Sequence, residues 1–126
     1  MIRARFPLVF IVPIAFAQAV QPVLTSPSGS VVFSREHGAI TTVTPSGQTG
    51  SVWRSGEDGL WSARFADGST LSASSFHATN TLRSFSCAPV AGQDAWTFTY
   101  RAPEITVRVN AHARPDGIEL TADLFP

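Results

Sequence analysis

Arg108, Asn110 and His112 place a guanidinium, an amide and an imidazole at every second position of one apolar/polar alternating run. In extended backbone this spacing puts all three on one face at steps of about 7 Å. Such a row can hydrogen-bond the hydroxyls of a saccharide or the edge of a partner strand, and a solvated sheet face has the same appearance. Trp53, next to Arg54 and just ahead of the turn at 56–59, offers an indole for stacking on a sugar ring or for plain packing. These four residues are the candidate ligand-binding set.

Catalysis has less to draw on. Hydrolysis of a glycosidic bond needs two carboxylates about 5–10 Å apart across the scissile oxygen. The acidic residues Glu36, Glu57, Asp58, Asp67, Asp94, Glu104, Asp116, Glu119 and Asp123 mostly fall in or beside glycine-containing turns, and no pair is marked out. There is no Gly-x-Ser-x-Gly elbow, no phosphate-binding glycine loop and no His-Glu-x-x-His helix. His37, His77 and His112 are too scattered for a zinc site, so neither metal nor cofactor is expected. Cys87 is the sole cysteine, which excludes an internal disulfide. It reads as a small buried apolar residue rather than a nucleophile.

The elements that must carry these residues are strands. Short runs rich in Val, Ile, Thr, Phe and Trp are punctuated by Gly, Pro and Asp turns, the pattern of an all-β, antiparallel β-sandwich of sequential hairpins. Strands are expected at 30–34, 39–44, 51–55, 60–66, 70–76, 81–88, 95–102, 105–114 and 118–125. In the last hairpin Val107, Val109, Ala111 and Ala113 alternate with Arg108, Asn110 and His112. Pairing Ala113 with Leu120, Ala111 with Ala122 and Val109 with Leu124 keeps the apolar face together and sets Arg114 opposite Glu119. The rows Trp61, Ala63, Phe65 and Trp96, Phe98, Tyr100 fit either an aromatic platform for sugar rings or a core; the preferred reading is core, because each aromatic ring buries a large area.

Nine arginines, no lysine and nine acidic residues give a formal net charge of zero over 126 residues. Nucleic-acid binders need excess positive charge to displace counterions, so none is expected as partner. The hydrophobic fraction of 44% suits a packed core rather than a disordered chain. Residues 1–19 read as a signal peptide: Arg3 and Arg5, an apolar run at 6–16, and small residues Ala15, Ala17 and Ala19. The apolar run is shorter than a membrane helix needs, so no membrane span is expected after cleavage. Residues 20–29, with Pro22, Pro27 and Gly29, read as a Pro/Ser-rich leader, and 30–126 as the folded domain, incomplete at its C-terminus if the chain is a fragment. Location is then secreted or periplasmic.

Val31-Val32-Phe33, Gly38-Ala39-Ile40, Leu60-Trp61, Phe65-Ala66-Asp67-Gly68 and the late Tyr100 with Val107-Arg108-Val109 carry a resemblance. With the export signal and leader, they resemble the front of the galactose-mutarotase-like β-sandwich domain that precedes the catalytic barrel in secreted glycoside hydrolases. The resemblance covers 30–125 and rests on strand patterns. It implies a domain packed beside a barrel that holds the catalytic carboxylates, so no catalytic residue is carried over to this chain. Domains of that family are longer, and in a truncated chain the last strand becomes an unpaired edge. The resulting expectation is a non-catalytic module associated with carbohydrate-active proteins, its partner an oligosaccharide or a missing catalytic domain. The alternative is a structural or adhesion β-sandwich that binds protein through an open sheet edge. A stand-alone glycosidase working through Glu57 or Asp58 is the least favoured reading.

Overall fold

The computed structural model describes residues 21–77 and 81–126; the expected signal peptide lies outside the described residues. The described chain is all-β and antiparallel, with nine strands and one short 3-10 turn. Strands β1 (Val23–Ser26), β2 (Gly29–Phe33) and β3 (Ile40–Pro45) form one sheet in that order. Strands β4 (Ser62–Arg64) and β5 (Thr70–Ser72) form a separate hairpin, followed by the 3-10 turn Ala73–Ser75. Strands β6 (Ser84–Pro89), β7 (Ala95–Arg101), β8 (Thr106–Arg114) and β9 (Gly117–Phe125) form a four-stranded sheet of sequence neighbours.

One core joins these sheets. Leu24, Val31 and Phe33 from the first, Leu71 from the hairpin, Phe76, and Phe85, Phe98, Tyr100, Val107, Val109 and Ala111 from the third form a single buried cluster. Phe33 and Phe98 meet across it with ring centroids 4.9 Å apart. The alternation that separates faces in β7 and β8 is what delivers these side chains inward, every second residue.

Segment 20–29 is extended from Val23 on, as a leader would be, but it is paired. Val23–Ser26 lies antiparallel to β2, and Leu24 is buried in the core. The apolar Val23-Leu24 pair, which the surrounding Pro and Ser obscure, is enough to make a strand when β2 offers a free ladder. Segment 51–55, expected as a strand, makes only a single bridge, Trp53 to Val43. Two main-chain bonds run from it to β3, from the Val52 N–H to the Val43 carbonyl and from the Ser55 N–H to the Ile40 carbonyl, but serine hydroxyls take the β3 donors: Ser51 Oγ accepts the Val43 N–H at 3.0 Å and Ser55 Oγ accepts the Ile40 N–H at 2.9 Å. Ser, Asn and Asp side chains compete with strand pairing in this way.

The β8–β9 hairpin keeps its expected faces but not its expected register. Ala113 pairs with Ile118, Ala111 with Leu120, Val109 with Ala122 and Val107 with Leu124, two residues from the expected partners. The turn is the cause: Arg114 pairs directly with Gly117, so Pro115-Asp116 alone form the loop. Proline fixes φ at the first turn position and favours this short reversal. A shift of two preserves every side chain's face. Arg114 and Glu119 consequently meet on the diagonal, Nη2 to Oε1 at 2.9 Å.

Candidate functional site

The outer face of the four-stranded sheet gathers Arg108, Asn110 and His112 as the alternation requires. Arg108 is exposed, lies opposite Asp123, and places its guanidinium carbon 5.0 Å from the centroid of the Phe125 ring. Asn110 is half-buried and accepts a hydrogen bond from the Thr97 hydroxyl at its Oδ1, 3.1 Å away. His112 stands between Ala95 of β7 and Glu119 of β9. Thr97, Thr99 and Thr121 fill the positions beside the row. The row is thus a hydroxyl- and guanidinium-bearing face already partly engaged with its own neighbours.

Trp53 belongs elsewhere. It sits on the free side of β3 in the first sheet, 55% exposed. The structure therefore brings three of the four expected residues together and leaves the indole on another sheet.

The aromatic row of β7 is core. Phe98 and Tyr100 are fully buried, and Trp96 packs against the same cluster from its edge. Tyr100 is met edge-on by Trp61 and Phe76, with centroids at 5.3 and 5.5 Å. Its hydroxyl donates to the His37 carbonyl at 2.8 Å. Burial pushes its phenol well above the ordinary range, and the nearby Cys87 adds to the effect. The same desolvation raises the Cys87 thiol, against a smaller opposing pull from Arg35. A thiol held protonated in this way is a poor nucleophile.

Two features escape a reading by sequence. A polar cleft of about 420 Å³ is lined by Asp58, Ser62, Arg64, Ser72, Ser75 and Arg83, residues too dispersed along the chain to announce themselves. Glu57 lines a different cleft beside Arg54, so the adjacent carboxylates Glu57 and Asp58 do not face one substrate. Among the described residues no three His, Cys, Asp or Glu side chains gather as metal ligands. No described helix is long and apolar enough to cross a membrane.

The second feature is β9. It is the terminal strand of its sheet, so every second residue turns its backbone N–H and C=O away from β8. Among the described residues its inward row also lacks a cover: Leu120 is 43% and Leu124 60% exposed, although Val107, Val109 and Ala111 of β8 are buried on the same face. The first sheet has three strands against four, and its β1 reaches β8 and β9, where only Gly117 and Ile118 of β9 are partly buried. Comparison with protein-family models, characterised proteins and solved structures finds no match for this chain.

Proposed function

We propose that the chain is a non-catalytic, exported β-sandwich module whose function is to dock another polypeptide by strand addition along β9. The supporting observation is the combination on one nine-residue strand of a backbone edge that no other described strand pairs and an exposed apolar row, Leu120, Ala122 and Leu124. Main-chain hydrogen bonds supply affinity in such pairing, and alternate side chains supply selectivity. Soluble proteins blunt exposed edges with inward charges, proline or bulges; β9 has none of these on its inward row. The test is a labelled peptide copying Gly117–Phe125, titrated into the protein while hydrogen exchange of the β9 amides is followed. Protection of β9 that disappears in Ala122→Lys is expected. Exchange of the β9 amides that is unchanged by the peptide overturns the reading.

The oligosaccharide reading keeps one favourable observation, the outer face where Arg108, Asn110 and His112 stand beside Phe125 and three threonines. Calorimetric titration with neutral oligosaccharides addresses it. Heat that is lost in Asn110→Ala supports a saccharide site on that face, and its absence across a panel removes it. Under the glycoside-hydrolase resemblance, the docked polypeptide is a catalytic barrel that holds the reacting carboxylates.

A further inference from the structure

We infer that the strand β9 accepts is β9 of a second copy, giving a two-fold dimer with one continuous eight-stranded antiparallel sheet. This rests on the docking reading above and names its partner. Every two-fold register centred on a residue keeps inward residues opposite inward residues, and the side chains separate the three centred at the middle of the strand. With Thr121 opposite itself, Glu119 faces Asp123 of the second copy, a like-charge pair directly opposed and destabilising. With Leu120 opposite itself, the ladder ends at Gly117 against Asp123 and leaves Leu124, the most exposed large apolar residue of the strand, unpaired.

With Ala122 opposite itself, both problems vanish. Leu120 then meets Leu124 of the second copy and Ala122 meets its own counterpart, closing the apolar row. On the outer face Thr121 meets Asp123, and Glu119 meets Phe125 of the second copy. The Phe125 ring carries the Arg108 guanidinium at 5.0 Å, so a carboxylate approaches a guanidinium twice by symmetry. The rest of the surface does not oppose the approach. Glu119 is already flanked by Arg114 at 2.9 Å, and the exported chain, without Arg3 and Arg5, carries seven arginines against nine acidic residues, a formal charge of only −2. A single edge strand buries little area, so the association belongs to the weak, concentration-dependent class.

The experiment combines sedimentation with a register-specific cross-link. Sedimentation of the protein over a range of concentrations is expected to show the mass doubling, with Ala122→Lys raising the dissociation constant at least ~10-fold. In a Cys87→Ser background, Ala122→Cys is expected to form a disulfide-linked dimer, because opposed Cα atoms in an antiparallel ladder lie about 4.5–5.5 Å apart, within the span of a disulfide. Leu120→Cys in the same background is expected not to link, because the two copies of that position stand about 13 Å apart along the ladder. Mild oxidation of the Cys87→Ser protein itself gives the baseline. Cross-linking at Leu120→Cys in place of Ala122→Cys overturns the register and with it the inference. A protein that stays monomeric while the β9 peptide still protects its edge overturns the second copy and leaves the docking reading standing. A monomer whose edge the peptide does not protect overturns both.

Discussion

The Tyr100 hydroxyl ties the third sheet to the loop between β2 and β3, and removing it is expected to loosen the core measurably. In Tyr100→Phe the ring still fills its site, so the loss is confined to the 2.8 Å hydrogen bond to the His37 carbonyl. A buried hydrogen bond of this kind contributes about 1–2 kcal/mol once the stranded acceptor is counted. For a domain of this size that corresponds to a fall in Tm of roughly 5–10 °C. The ionisation of the same residue gives an independent readout, since Tyr100 is the only tyrosine in the chain. Its folded pKa is raised above the ordinary 10.0. The stability it contributes is therefore fully present below about pH 10 and is lost as pH rises beyond that, because the unfolded chain releases the proton first. The slope is about 1.4 kcal/mol per pH unit for one such group. Ultraviolet difference absorbance of tyrosinate, followed alongside circular dichroism through an alkaline titration, is expected to show ionisation and unfolding as one transition. Reversible ionisation near pH 10 with the β-sheet signal intact would refute the reasoning.

Gly38 is left-handed at φ +78°, and a Cβ placed there would stand 2.5 Å from the Tyr100 hydroxyl oxygen and 3.3 Å from Phe85 and Phe98. Gly38→Ala is expected to cost about 3 kcal/mol by denaturant midpoint, and part of that cost should be absent in a Tyr100→Phe background. Full additivity of the two substitutions counts against a direct clash. The Cys87 thiol, raised by burial, is expected to react with a maleimide at neutral pH at least ~10-fold more slowly in the folded protein than in denaturant; equal rates contradict its placement. Arg114→Ala is expected to change stability by less than about 1 kcal/mol, because both ends of the ion pair with Glu119 are half exposed, and a larger effect in thermal melts requires a further role for Arg114.

What the sequence made legible follows from how local each signal is. The strands β6 to β9 and the faces of β8 come from alternation within single segments, and tertiary context did not reverse them. The aromatic row of β7 is legible as core because three large rings at period two have more apolar area than an edge can leave exposed. Trp53 shows where locality fails. Its segment has strand-forming residues, yet the Ser51 and Ser55 hydroxyl oxygens accept the β3 N–H groups that a ladder would pair with carbonyls, and pairing stops at one bridge. The two-residue register shift in the last hairpin has the same character, since both registers bury the same face and only the turn at Pro115-Asp116 decides between them.

The exposed row of β9 is the case in which no local signal exists at all. Val107, Val109 and Ala111 on β8 and Leu120, Ala122 and Leu124 on β9 have the same alternation, and they are paired across one ladder on one face. The first row is buried and the second is exposed. What separates them is how far the common core reaches across the sheet, to Val107, Val109 and Ala111 but not past Ile118 on β9, which is a property of the assembled fold and of no segment of the sequence. An inward row that outruns its cover costs solvation free energy at about 25 cal/mol per Å² of apolar surface, and pairing with another strand removes that cost together with the unpaired edge. If β9 did not serve an interface, Leu120→Thr and Leu124→Thr would leave both stability and oligomeric state unchanged. Under the dimer proposed above they leave the stability of the isolated monomer nearly intact and shift the sedimentation equilibrium toward it. A variant that unfolds, in contrast, would show that some element of this chain already covers the row in solution.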